Sequence, residues 1–286
     1  MSADRNHDLA PGLYLVGTPI GNLEDMTLRS IRVLKQADLI ACEDTRQTQK
    51  LLHHYGIETR AVSYHEHNEA SRAAELVQTL AQGARIAVVS DAGMPDISDP
   101  GSRLVSLAIV RGVPIVPVPG PSAFLAALVA SGLPTDSCSF RGFLPAKSGA
   151  RRRELEKVLD ADETQIYYEA PHRIRETLAD VMEVLGPGRP VVVARELTKI
   201  HEEFLRGTGA EVAQDLKSRG DIKGEITLLI GRAPEGQSAP RGTSIRERVE
   251  EIIRADKVDE KAALKKVAKE RGISKSEAYR EWQRRR

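Results

Sequence analysis

The feature that most constrains this chain is a rhythm. Short β-prone runs alternate with longer helical patterns, and the alternation starts twice. Before Pro134 the runs are LYLVG (13–17), DLIACE, RAVSYH, RIAVVS and VPIVPV (113–118). Each is followed by apolar residues at helical spacing, as with Leu28, Ile31 and Leu34 after the first. Beyond Pro134 come SFRGFL, TQIYYE and PVVVARE, then HEEFLRGT, AEVAQDLKSRG and GEITLLIG. Alternating β and α units predict parallel sheets with helices on their faces. The restart predicts two such sheets, an α/β fold with one half in residues 1–120 and the other in 121–234. RAPEGQSAPRGTS (232–244) reads as a linker, and residues 235–286 as linker plus basic helical tail.

Composition narrows the class. Hydrophobic residues make up 41% of the 286, so a core can form and disorder is not expected. Cys42 and Cys138 cannot build a disulfide framework or a CxxC zinc pattern, which predicts reduced thiols in a cytoplasmic chain. No apolar run approaches the ~18 residues of a membrane span, and MSADRNHDLAPG has no signal-peptide core. Net charge is +1, but residues 241–286 hold 15 Lys+Arg against 9 Asp+Glu, leaving −5 on the remainder. A basic tail on an acidic body can steer a polyanion. The alternative is a solvated tail whose charges are spent on i,i+4 pairs.

In open α/β sheets ligands sit where loops leave the carboxyl ends of strands. Three exits are rich in Gly, Pro and small polar residues: GTPIGNLED (17–25), SDAGMPDISDPG (90–101) and VPGPSAF (118–124). Proline fixes φ and removes a donor, and glycine lets backbone approach a ligand, so these exits predict stiff binding walls. GTPIG is neither GxGxxG nor GxxxxGK[ST], so neither nucleotide fingerprint is present. Asp96 or Asp99 suits a cap for the helix expected near Gly101. Asp91 stands too early for that, and its carboxylate is expected to take the loop's own amides or a ligand.

Taken together, GTPIGNLEDMTLRS, EDTRQT, SDAGMPDISDPG, VPGPSA, YEAPHR and KGEITLLI resemble the tetrapyrrole-methylase superfamily, and within it the branch that modifies 16S ribosomal RNA. The likeness runs from about Leu13 to Ile230 and continues into the tail. The resemblance implies two α/β domains with S-adenosylmethionine in the cleft between them, and a homodimer. It implies methyl transfer to the ribose 2′-oxygen of a cytidine in the decoding region of 16S rRNA, within the small ribosomal subunit. It assigns the cofactor to Asp91, Ala92, Gly93, Met94 and Pro95, to Ser122 and Ala123, to Tyr168, Glu169 and Ala170, and to Gly224, Glu225 and Ile226. The branch usually reads Thr-Pro-Leu where this chain reads Met94-Pro95-Asp96. Whatever that threonine hydroxyl would touch is left to another group here.

A ribose hydroxyl is a poor nucleophile at neutral pH, and general-base help is typically worth ~10²–10⁴-fold. Titratable residues cluster in ARELTKIHEEF and EDTR. Glu196 and Lys199 are the catalytic candidates, because they follow an apolar strand that should deliver them to the cleft. HH at 53–54 and HEH at 65–67 lack the spacing of a helical zinc site, so no metal is expected. For the RNA, the candidates are Arg46, Lys147, Arg151, Arg152, Arg153 and Arg173, near loop exits or helix starts. Cations in the first turn of AKSGARRRELEK oppose the helix dipole, which makes an anionic partner attractive there. The tail reads as helix, turn at Gly272 and helix, with Ala262, Ala263, Val267 and Ala268 on one face and Ile273, Ala278, Tyr279 and Trp282 beyond. Two other readings stay open: a small-molecule tetrapyrrole-type methylase of the same fold, and a non-catalytic nucleic-acid-binding protein.

Overall fold

The fold was obtained as a computed structural model, which describes residues 8–65, 67–97, 102–233, 245–270, 278–279 and 282–283. The chain forms two compact units, Met1–Pro234 and Glu235–Arg286.

The first sheet of the larger unit holds β1 (Gly12–Val16), β2 (Leu39–Cys42), β3 (Ala61–Ser63), β4 (Arg85–Val89) and β5 (Ile115–Val118), in the order β3-β2-β4-β1-β5. Every pairing in it is parallel. Helices α1 (Leu28–Gln36) and α2 (Thr45–His54) send Val33, Leu34 and Leu52 into the core on one face. Helices α3 (Glu69–Ala81) and α4 (Ser102–Val110) cover the other with Leu76, Leu80 and Leu104. Strands buried on both faces read as continuous apolar runs, and LYLV and IAVV are such runs. Local chemistry sets the helix starts. Thr27 Oγ1 accepts the Ser30 N–H at 3.0 Å, and Asp44 Oδ1 accepts the Arg46 N–H at 2.8 Å.

Helix α5 (Ala123–Ser131) follows β5 and packs against the second sheet, its Ala127 and Leu128 meeting Ile166, Val192 and Leu229. That sheet holds β6 (Cys138–Phe143), β7 (Thr164–Glu169), β8 (Pro190–Arg195), β9 (Glu203–Thr208) and β10 (Ile226–Ile230), in the order β6-β7-β10-β8-β9. Helices α6 (Ser148–Glu156), α7 (Ile174–Leu185) and α8 (Gly209–Ser218) bury Leu155, Leu178 and Leu216 in the core on its other face.

Here the expectation of two parallel sheets is corrected. Only β6 and β7 run parallel; β10 is antiparallel to β7 and β8, and β8 to β9. The reason is connection length. Residues 196–202 join β8 to β9, and a parallel crossover needs a dozen residues or more. Central β10 is buried at all five positions, which is why ITLLI carries no polar alternation.

In the smaller unit, α9 (Ile245–Asp256) and α10 (Glu260–Glu270) pack Val249 and Ile252 against Ala263, Leu264, Val267 and Ala268. Ala278 is buried with them, whereas Tyr279 is half exposed. The expected turn at Gly272 and most of the 232–244 linker lie outside the described residues. Among the described residues no helix is long and apolar enough to cross a membrane.

Candidate functional site

The exits of β1, β4 and β5 meet at one edge of the first sheet. Thr18 and Gly93 exchange backbone hydrogen bonds of 2.9 and 3.1 Å, and Thr18 Oγ1 donates to the Ser90 carbonyl at 3.1 Å. Gly17 lies against Gly120, so a Cβ on Gly17 would stand 2.7 Å from the Gly120 Cα and 2.8 Å from the Met94 sulfur. Gly93 has φ +82°, a conformation costly for any residue with a Cβ. The exits are therefore knit into one wall by backbone contacts that leave no room for side chains.

The second sheet supplies the facing wall. A cavity of about 350 Å³ lies between them, within the range typical of small-molecule pockets. From residues 1–120 it is lined by Ile20, Asp91, Ala92, Gly93, Met94 and Ile97. From residues 121–234 come Ser122, Ala123, Phe143, Tyr168, Glu169, Ala170, Pro171, Leu197, Gly224, Glu225, Ile226 and Thr227. Every residue that the resemblance assigned to a cofactor is on this lining except Pro95. Residues more than a hundred positions apart in the chain thus share one wall.

Glu169 is 2% exposed and fully engaged: Oε1 accepts the Ala170 N–H at 2.7 Å and the Arg173 Nη2 at 2.6 Å, and Oε2 accepts the Thr177 hydroxyl at 2.6 Å. Tyr168 stands edge-on to Phe140 and Phe143, with centroids 4.9 and 5.6 Å away. Asp91 Oδ1 accepts the Asp44 N–H at 3.3 Å, which couples the β4 exit to the β2 exit. That hydrogen bond ties Asp91 to a neighbouring loop and not to its own. Asp96 has φ +73°, and Asp99 lies outside the described residues.

Glu196 and Lys199 do not line the cavity. They form a brace behind its rim, on the loop between β8 and β9. Glu196 Oε1 accepts the Lys199 ammonium at 2.8 Å and the Glu225 N–H at 3.0 Å, and Lys199 also donates to Glu225 Oε2 at 3.1 Å. The Lys199 hydrogen bond, aided by the Glu225 amide, holds the Glu196 carboxyl below the usual range despite its burial. Burial would lower the Lys199 pKa, but its two carboxylate partners outweigh that and raise it. Both groups are thus held in their charged forms. Glu196 and Thr198 have φ of +52° and +65°, uncommon for residues with a Cβ and costly for a β-branched threonine. Gly21 and Gly224 make room for the brace. A Cβ on Gly21 would lie 2.5 Å from Lys199 Cγ, and one on Gly224 would overlap the Glu196 side chain. Elsewhere on this loop Glu202 Oε2 accepts the Thr198 N–H at 2.7 Å.

The basic candidates separate. Arg151 is corrected: its side chain is 1% exposed, and its Nε donates to Asp180 Oδ2 at 2.7 Å. A guanidinium closed inside the fold cannot grip a phosphate. Asp180 also accepts Arg152 Nε at 2.7 Å and Ser148 Oγ at 2.9 Å, and Arg152 pairs with Glu183. The anion that the basic first turn of α6 calls for is therefore a carboxylate of α7. Burial pushes the Asp180 pKa up, but Arg152, Arg151 and Ser148 together hold it below the ordinary value. Arg173 is spent on Glu169. Lys147 and Arg153 are exposed. Arg46 grips its neighbour Asp44 with Nε and Nη2 yet remains 87% exposed. Among the described residues no three His, Cys, Asp or Glu side chains converge as a metal site would require.

Sequence reasoning missed Ile20, Ile97, Phe143, Pro171, Leu197 and Thr227 on the lining. Ile20 and Ile97 lie inside exits already singled out, and Pro171 and Thr227 adjoin assigned residues, so widening each motif would have found them. Leu197 likewise adjoins the candidate Glu196, and Phe143 alone carries no local signal.

Residues 12–213 match the family model of the tetrapyrrole (corrin/porphyrin) methylases. The chain is similar to ribosomal RNA small subunit methyltransferase I of Halalkalibacterium halodurans, 49% identical over 271 residues and 93% of each chain. It is also similar to the protein of that name from Vibrio cholerae, 52% identical over 225 residues and 77% of each chain. Among solved structures, uroporphyrin-III C-methyltransferase of Thermus thermophilus complexed with S-adenosylhomocysteine superposes with TM-score 0.53 at 20% identity, over 77% of this chain and 97% of that one.

Proposed function

The chain belongs to the tetrapyrrole methylase family, in the group of the ribosomal RNA small subunit methyltransferase I proteins, and on that premise we propose that it transfers a methyl group from S-adenosylmethionine to the ribose 2′-oxygen of a cytidine in the decoding region of 16S rRNA. The observation that carries this reading is the cavity on which four separated sequence motifs converge. Its walls suit the donor. Phe143 and Tyr168 offer aromatic surface to a flat base or a sulfonium, and Ile20, Ile97 and Leu197 offer apolar packing. Asp91 and Glu225 place carboxylates where an ammonium or ribose hydroxyls could be held. When bound, S-adenosylmethionine supplies a methyl group that is already activated.

What remains for the chain is to hold, orient and exclude water. Good orientation can supply roughly 7–11 kcal/mol of such a barrier. Glu196 and Lys199 belong to that task. With Glu196 ionised below its ordinary range and shared between Lys199 and the Glu225 amide, it holds the Gly224–Glu225 rim and the Leu197 wall in place. On this reading the pair positions and does not move a proton. Arg46, Lys147 and Arg153 are the exposed cations of the RNA set, and the basic tail adds phosphate contacts.

A homodimer is part of the proposal. Leu125 and Val129 stand one turn apart on α5 at 49% and 77% exposure, and Ile109 and Val110 are exposed on α4. The Leu125 and Val129 pair, exposed on one side of α5, favours burial against a second copy. The reading places the enzyme in the cytoplasm with its substrate, the small ribosomal subunit.

The test is direct. Purified chain, 30S subunits and tritiated S-adenosylmethionine should yield label in 2′-O-methylcytidine after nuclease digestion. Label on a base, or no uptake of the donor in calorimetry, would overturn the reading.

A further inference from the structure

The outer face of α2 is unlike those of α3, α7 and α8. Its ten residues include no Asp or Glu, and neither do the nine of α1, which covers the same face of the first sheet. Along α2, Arg46, Lys50 and His53 fall at i, i+4 and i+7, on one side of the helix and spanning about 10 Å of its axis. With Thr45 and Gln49 they line a shallow groove of their own, separate from the cavity. Arg46, Gln49, Lys50 and His53 are all exposed, and no residue of the lining is of an aliphatic or aromatic type.

Position gives the groove its meaning. It starts at the β2 exit, and the Asp44 N–H at the head of α2 donates to Asp91 Oδ1, a residue of the cavity wall. The stripe therefore begins beside a residue of the cavity wall. Protein partners select surfaces with an aromatic or aliphatic centre, which this groove lacks. A phosphodiester strand selects cations and polar donors without competing acids. The Asp44 carboxylate at the stripe's near end is already gripped by Arg46.

We propose that the α2 groove is a phosphate track, on which Arg46, Lys50 and His53 hold the RNA backbone flanking the nucleotide presented to the cavity. The inference rests on the rRNA reading and adds the surface by which that substrate is seated.

Lys50→Glu, alone and combined with Arg46→Gln, tests it on the full-length protein with 30S subunits. The Michaelis constant for subunits should rise roughly tenfold in the single variant, equivalent to about 1.4 kcal/mol, and further in the double. In Lys50→Glu, turnover at saturating subunits should stay within about twofold, because holding the backbone confers affinity and register and not chemistry. The plot of log affinity against log salt should flatten by about 0.7–0.9 for each phosphate no longer neutralised. Calorimetry with S-adenosylmethionine should match the parent protein. Wild-type protein that labels no rRNA would sink the functional reading itself. Wild-type labelling together with unchanged Michaelis constants and salt slopes in both variants would overturn the track alone. So would a change in sedimentation without one in RNA affinity, which would mark the groove as a protein contact.

Discussion

Gly224→Ala is a substitution whose cost follows step by step from the geometry. Gly224 has φ +93°, and a Cβ there would overlap the Glu196 side chain. Holding an alanine at positive φ costs about 1–2 kcal/mol. The overlap is relieved if the Glu196 carboxylate swings away, because it is the free end of a flexible side chain. Swinging away breaks its bonds to Lys199 and to the Glu225 amide. With side chains 18% and 28% exposed, those bonds together are worth about 1–2 kcal/mol, below the figure for a closed interior. The expected loss is therefore about 2–4 kcal/mol, or roughly 4–16 °C in Tm for a unit of this size. Glu196→Ala alone forfeits only the bonds, about 1–2 kcal/mol on the same accounting. The double variant then loses nothing that Gly224→Ala has not already lost. Scanning calorimetry of the four proteins should show the double no less stable than Gly224→Ala, a departure from additivity of about 1–2 kcal/mol. Costs that simply add would refute the idea that Glu196 occupies the space glycine leaves. Affinity for S-adenosylmethionine should fall in Gly224→Ala, since Gly224 and Glu225 line the cavity.

Four further outcomes follow from the same structure. Asp180→Ala leaves the enclosed Arg151 guanidinium with only the Glu176 carboxylate, at 3.7 Å, and should cost about 3 kcal/mol in urea denaturation; Asp180→Leu with Arg151→Met should be milder than Asp180→Ala. Because the Asp180 pKa is depressed in the fold, its contribution is present above the ordinary carboxylate pKa and fades as pH falls through the lowered one, so parent and Asp180→Ala stabilities should converge in acid. Glu196→Gln should slow methyl transfer less than about tenfold, with an unchanged pH profile, whereas a loss of ~10²-fold or more with a vanished limb would restore a general-base role. Leu125→Asp with Val129→Asp should turn a sedimenting dimer into a folded monomer, and a dimer that survives would place its interface elsewhere.

Much of the fold is legible in the sequence. Alternating runs named the strands and helices, because apolar spacing is a local property and both halves obey it. The glycine- and proline-bearing exits marked one wall of the cavity for a similar reason: their stiffness and lack of side chains are written residue by residue. The resemblance then added the residues of the opposite wall. What stayed illegible depended on distant partners. The RRR run looks the same whether it faces water or Asp180, and only the packing of α6 on α7 enclosed Arg151 and left Arg153 outside. The second sheet was expected to be parallel and is mixed, since a strand does not encode which neighbour it pairs with. Glu196 follows its strand as expected, but its charge is engaged by Lys199 and by the amide beside Gly224, 28 residues on. Periodicity and turn chemistry act over a few residues and can be read along the chain. Pairing of charges, strand order and the closing of a cavity are settled by groups far apart in sequence, and so only the folded arrangement decides them.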